Sequence, residues 1–168
     1  MYKDRQGNIV ELIGKPTDRT GAFALILFDD NVLIVKPAGN HEVWELPGGG
    51  VDDTEWLDEG LKRELYEEVE ISLPSNVELR PHCKLTFQYY PDDVKQFWNY
   101  TLNLFVLKFK SKPGAFAGNE IERVDWVPFN QLNKISVNYM HMRLIQHYLS
   151  LKDIPAKKIE YDDILGYV

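Results

Sequence analysis

Between Leu46 and Ile71 the chain reads LPGGGVDDTEWLDEGLKRELYEEVEI, and this stretch constrains the fold more than any other. Leu57, Leu61, Leu65 and Val69 recur every four positions, which predicts a helix from Thr54 to about Val69 with one apolar stripe. Such a helix must lay that stripe on another layer of structure. Its remaining faces are acidic: nine acids and two bases lie between Asp52 and Glu70, a local charge of minus seven. The whole chain also carries minus seven, so the rest balances at seventeen of each sign. The acidity is one locus, and no basic groove for long nucleic acid accompanies it.

The 168 residues, 44% of them hydrophobic, suffice for one substantial core, and no repeat or Gly/Ser linker divides the chain. We therefore expect one domain over 1–168, with its core at about 20–150 and a C-terminal extension at 151–168. The lone Cys83 cannot form an internal disulfide and reads as a small hydrophobe. The N-terminus lacks the apolar run of a secretory signal, and AFALILF is too short to cross a bilayer. A cytoplasmic protein without membrane contact is the expectation.

Residues 22–28 and 32–36, separated by Asp29, Asp30 and Asn31, read as a hairpin. A second strand pair is expected at 83–90 and 95–110 around Pro91-Asp92-Asp93, and a further strand at 123–127. Ser136 is placed to cap a second helix carrying Val137, Met140, His141, Leu144, Ile145, Tyr148 and Leu149 at helical spacing. His141 in that stripe reads as a core histidine. Strands mixed irregularly with helices suggest an α+β or mixed-sheet layered domain.

Glu64, Glu67 and Glu68 stand at i, i+3 and i+4, so their carboxylates share one helix face. Like charges repel there, and anions near a helix C-terminus cost a further ~0.3–1 kcal/mol each. Stability alone would favour lysines. Three carboxylates on one face are hard oxygen ligands suited to a divalent cation such as Mg²⁺ or Mn²⁺. Gly48, Gly49 and Gly50 just upstream let backbone approach a ligand, with carbonyls for a cation and N–H groups for phosphate.

Taken together, Gly49, Glu55, Arg63, Glu64, Leu65, Glu67, Glu68 and Ile71 resemble the signature of the Nudix hydrolase family, with Glu70 where that signature has Gly. A Gly there would supply a left-handed helix exit, so Glu70 implies a steric penalty or a different exit. Gly60, in the middle of the predicted helix, points to close packing. The resemblance implies an α/β/α sandwich around a mixed sheet and metal-dependent cleavage of a pyrophosphate in a nucleoside diphosphate derivative. It implies Glu64 and Glu68 as the main metal ligands, Glu67 as a further ligand or base, and the Gly48 carbonyl as a possible ligand. Arg63 and Glu55 would hold the motif together, and Glu120 is the first choice for a loop-borne general base, ahead of Glu122.

Trp44, beside the glycine run, and Tyr90, near the Pro-Asp-Asp turn, are chosen as base-stacking residues, with Gly49 and Gly50 against the substrate. A small nucleotide such as a nucleoside triphosphate leads as substrate, with a nucleotide sugar, ADP-ribose or a dinucleoside polyphosphate as alternatives. A non-catalytic nucleotide-binding module is the rival class, although it would be expected to lose ligand carboxylates. An isomerase acting on a prenyl diphosphate would want a reactive Cys and further His ligands. The stretches 1–20 and 151–168, the latter with Lys157-Lys158 and Tyr161-Asp162-Asp163, could cover the site or join two copies as a homodimer.

Overall fold

Tyr2–Lys3 (β1) and Ile9–Val10 (β2) pair antiparallel in a short N-terminal hairpin whose turn includes Gly7 at φ 91°. In the computed structural model, which describes residues 1–39 and 42–152, this hairpin extends one edge of the sheet. Thr17–Phe28 (β3) follows, and the two-residue turn Asp29-Asp30 leads back into Asn31–Pro37 (β4), with Asp29 at the positive φ of 49° that a tight hairpin demands. Gly48–Gly50 (β5) pairs with the first half of β3, Ala22 standing opposite Gly49.

Leu57–Val69 (α1) leads on to Cys83–Tyr89 (β6) and Trp98–Phe109 (β7), which pair antiparallel about the turn at Pro91. Ile121–Pro128 (β8), a 3₁₀ turn at Phe129–Lys134 and Tyr139–Lys152 (α2) complete the described chain. The strands run in the order β2-β1-β6-β7-β3-β4-β8, with β5 beside β3. The sheet is mixed because β3 and β7 run parallel through twelve registered pairs, Thr17 with Trp98 to Phe28 with Phe109, and β1 runs parallel to β6.

Both faces of β3 are buried from Gly21 to Ile26, so its alternation there sorts two cores instead of separating core from solvent. Ala22, Ala24 and Ile26 face Leu61, Leu65 and Val69 of α1, while Phe23 and Leu25 face Met140, Leu144 and Tyr148 of α2. The two small alanines leave room for α1 to lie close to the sheet. Gly60 packs against Val51, where an added Cβ would come within 2.9 Å of a methyl. The helix–sheet–helix arrangement is the expected layered α+β fold.

The starts of both helices differ from the sequence expectation. α1 begins at Leu57, not Thr54, because Asp52 and Glu55 bond each other in a preceding turn, and Glu59 then accepts the Trp56 N–H at 2.9 Å. Asn138, not Ser136, caps α2: its Oδ1 accepts the Met140 N–H at 3.0 Å, while the Ser136 carbonyl is bonded to the Trp44 N–H. Glu70 keeps the left-handed exit, at φ 57°, despite its side chain, and the Ile71 N–H reaches back to the Leu65 carbonyl. Of the stretch 1–20, Tyr2–Lys3, Ile9–Val10 and the start of β3 at Thr17 join the sheet. Cys83 is half-buried. Lys157-Lys158 and Tyr161-Asp162-Asp163 lie outside the described residues. Among the described residues no helix is long and apolar enough to cross a membrane.

Candidate active site

α1 runs against β5, and that contact builds the site. Gly48 adopts φ 141°, and a Cβ there would fall 2.2 Å from the Ala22 carbonyl oxygen, so only glycine lets the strand lie this close. A Cβ on Gly49 would come within 2.7 Å of both carboxylate oxygens of Glu64. Glycine at both places lets acidic side chains of the helix reach the backbone.

Glu68 Oε2 accepts the Gly48 N–H at 3.0 Å. Burial drives the Glu68 carboxyl well above the ordinary carboxylate range, and the charges of Glu64, Glu45 and Glu120 push in the same direction, against the Gly48 hydrogen bond. Glu64, with only 16% of its side chain exposed, is raised as well, again chiefly by burial and against the pull of Arg63. The fold thus confines two carboxylates where neither is comfortable as an anion without added positive charge.

Arg63 supplies some of that charge. Its Nε and Nη2 donate to the two oxygens of Glu55 at 3.2 and 2.6 Å, Nη2 also donates to the Gly50 carbonyl at 2.9 Å, and Nη1 donates to Glu64 at 2.9 Å and Glu67 at 3.3 Å. One guanidinium therefore ties the loop, β5 and α1 together. Its hydrogen bonds hold the Glu55 carboxyl below its ordinary value.

The three glutamates share a face, but their ends diverge: Glu67, 52% exposed, and Glu64 lean on Arg63 while Glu68 turns to Gly48. Among the described residues no three His, Cys, Asp or Glu side chains gather closely enough to hold a metal ion in this arrangement. The donor chemistry still fits a hard divalent cation, because buried carboxylates and peptide oxygens offer what such an ion takes. Drawing the oxygens together requires Glu67 to leave Arg63, a rotation its exposure permits.

Glu120 is exposed and sits at φ 64° in the turn before β8. The segment leading to it is fastened to the end of α1, since the Phe116 and Gly118 N–H groups donate to the Val69 and Glu68 carbonyls at 3.0 and 2.8 Å. That docking satisfies helix-end carbonyls and brings Glu120 near enough for its charge to act on Glu68. Glu122, exposed on β8, shows no such coupling.

Trp44 is half-buried against the α2-side core, with Arg123 5.4 Å over its ring. The Tyr90 ring rests 4.7 Å from Phe97 and lines a hollow of about 510 Å³ with Val10, Ile13 and Lys95, to which no acidic residue of α1 contributes. Another hollow, of about 820 Å³, lies along α1 between Trp56, Lys62, Leu73 and Arg80 and includes none of Glu64, Glu67 and Glu68. Arg5, Glu45 and Asn138, which meet beside the approach to the glycine strand, escaped sequence reading; only Asn138, a capping type just before a periodic run, offered a local signal. His141 is fully buried, its Nδ1 accepts the Leu46 N–H at 3.0 Å, and burial lowers it to about 4. It is a core histidine.

A family model described as NUDIX domain matches residues 18–148. An RNA pyrophosphohydrolase of Aeromonas hydrophila subsp. hydrophila is 49% identical over 41 residues, 24% of this chain and 23% of that protein. A crystal structure of a bifunctional NMN adenylyltransferase/ADP ribose pyrophosphatase from Francisella tularensis superposes with a TM-score of 0.62 at 27% identity, covering 83% of this chain and 42% of that one. Its complex with AMP and a Mn ion gives 0.61 at 25% identity, with coverages of 82% and 43%. The MutT protein of Methanosarcina mazei Go1 gives 0.64 at 18% identity, over 84% of this chain and 99% of that one. The chain spans less than half the length of the Aeromonas and Francisella proteins.

Proposed function

The chain belongs to the NUDIX domain family, and from that premise we propose that it is a divalent-metal-dependent pyrophosphohydrolase acting on a nucleoside diphosphate derivative. A nucleoside triphosphate or similar small nucleotide is the leading substrate. A second reading, ADP-ribose, is favoured by the likeness to the Francisella tularensis protein whose name includes that activity. The observation that carries the proposal is the pair Glu64 and Glu68, both driven upward by burial against the glycine strand while all three carboxylates of the motif are retained. A binding module has no need of that unfavourable pair.

In this reading Glu64, Glu68 and, after release from Arg63, Glu67 hold Mg²⁺ or Mn²⁺ with the help of the Gly48 carbonyl. When bound, the cation would neutralise the diphosphate oxygens and ease departure of the leaving phosphate. Arg63 and Glu55 keep α1 in register with β5, and in this reading Gly49 and Gly50 lie against the substrate. Glu120 serves as general base: it takes one proton from the attacking water as the new P–O bond forms, and the anhydride P–O bond breaks with its electron pair leaving on the bridging oxygen.

The test is a screen for cleaved nucleotide products, separated by chromatography, over nucleoside triphosphates, ADP-ribose, nucleotide sugars and dinucleoside polyphosphates, with and without Mg²⁺. Metal-dependent turnover that Glu68→Gln abolishes without loss of folding is the expected result. Metal-independent binding with no turnover anywhere in the screen would leave the binding-module reading instead.

A further inference from the structure

Arg5 lies in the turn between β1 and β2, outside the stretch that the family model matches, yet it is only 8% exposed. Its Nε stands 3.1 Å from Glu45 Oε1, off the line of a well-aligned hydrogen bond, and its Nη2 is 3.8 Å from Asp93. The Tyr89 side chain lies beside the same guanidinium. Nη1 is shut away from solvent with no hydrogen-bond partner among the described residues. A buried guanidinium with an open donor costs stability, so anchoring the hairpin does not account for it; an apolar side chain would anchor with less loss.

Glu45 is the residue this arrangement controls. Asn138 Nδ2 donates to the same Oε1 at 3.0 Å, so both anchors hold one oxygen and leave Oε2 without a donor among the described residues. Glu45 precedes Gly48 by three positions, and the Gly48 N–H is the one bound to Glu68. Tyr89, beside Arg5, stacks on Tyr100 with ring centroids 6.1 Å apart, and the Tyr100 hydroxyl reaches the backbone of β3 at Gly21, opposite β5. The hairpin, the approach to β5, the cap of α2 and the β6–β7 pair thus meet around one carboxylate.

We propose that Arg5 is a positioning residue, which orients Glu45 so that Oε2 accepts a hydrogen bond from an N–H or O–H donor on the nucleoside part of the substrate. The substrate half of this claim rests on the pyrophosphohydrolase reading; the hold of Arg5 on Glu45 does not. Two measurements on the full chain separate them. With the best substrate of the screen, Arg5→Met raises KM about tenfold with kcat within about threefold, and Arg5→Lys, which can still pair with Glu45, stays within about threefold of the parent KM. Combining Arg5→Met with Glu45→Gln is no worse than Glu45→Gln alone, within about twofold, because one acts through the other.

Multiplying effects, or a fall in kcat alone, overturn the proposal. Ribo- against 2′-deoxynucleotides, and guanine against adenine, show whether Glu45→Gln erases discrimination of a sugar hydroxyl or of a base N–H; discrimination unchanged on both axes removes the role of Oε2. Amide hydrogen exchange needs no turnover: Arg5→Met accelerates exchange at residues 44–50 by about tenfold while the middle of β7 is unchanged. Unaltered exchange there refutes the positioning role even if the screen finds no substrate. Arg5→Gln replaces Arg5→Met in both measurements if the methionine variant does not fold.

Discussion

Replacing Glu70 by Gly should stabilise this protein, although it deletes a side chain. Glu70 holds φ 57° at the exit of α1, where a Cβ crowds the following carbonyl at a cost of about 1–2 kcal/mol. Its carboxylate also stands at the negative end of the helix, where no basic residue occupies the last turn, which adds about 0.3–1 kcal/mol. Glycine takes back about 0.4–1 kcal/mol through the greater freedom of its unfolded chain. The net gain is about 1.5 kcal/mol, or an increase in Tm of about 3–6 °C for a chain of this length. Thermal and urea unfolding of the metal-free protein at neutral pH would measure it, with an unchanged urea slope showing that the unfolded state is not the cause. Glu70→Ala is the decisive control, because it removes the charge and keeps the Cβ, and it should yield less than half of the gain. An alanine variant as stable as the glycine variant, or a glycine variant no more stable than the parent, would refute the backbone account.

Gly49→Ala should disable the site without unfolding the chain, since the new methyl collides with the flexible end of Glu64 and not with backbone; a Tm within about 2 °C of the parent and turnover reduced at least about tenfold are expected. Leu61→Ala does the opposite, opening a cavity between α1 and the sheet at a cost of about 2–5 kcal/mol, read by urea unfolding. A third expectation concerns pH. Glu68 is raised in the fold, so its contribution to stability is complete below its ordinary value of 4.5 and is lost as pH climbs through the raised value. His141 and His82 are lowered to about 4, so theirs is present above the ordinary 6.5 and lost as pH falls towards 4. Glu68→Gln should therefore exceed the parent in Tm in EDTA by a margin that widens upward from pH 4.5, and Mg²⁺ should narrow it; a margin independent of pH would contradict the assignment.

The motif and the stripe of α1 were legible because both are local: spacing places Leu61 and Leu65 on the core side and Glu64 and Glu68 together. The hairpin at Asp29 was legible for the same reason. β1 and β2 were not, since strands of two residues carry no period, nor was β5, whose three glycines carry no side chains. Ser136 and Asn138 are both capping types two positions apart, and only the tertiary bond from the Trp44 N–H to the Ser136 carbonyl settles which one caps α2. The divergence of Glu67 from Glu68 was hidden because helical spacing fixes where Cβ atoms lie, not where flexible carboxylates end. Arg5 and Glu45 are forty positions apart, and nothing in either neighbourhood announces the other.

The parallel pairing of β3 with β7 also sets an order of events during synthesis. Each residue of β3 waits for a partner 81 positions later, so the centre of the sheet cannot close until Phe109 has left the ribosome. At about 5–20 residues per second, β3 and the finished α1 spend seconds with their apolar surfaces unmatched. A chain stalled near residue 90 would display the acidic helix and the glycine strand with no frame to hold them, and chaperones would meet it in that state.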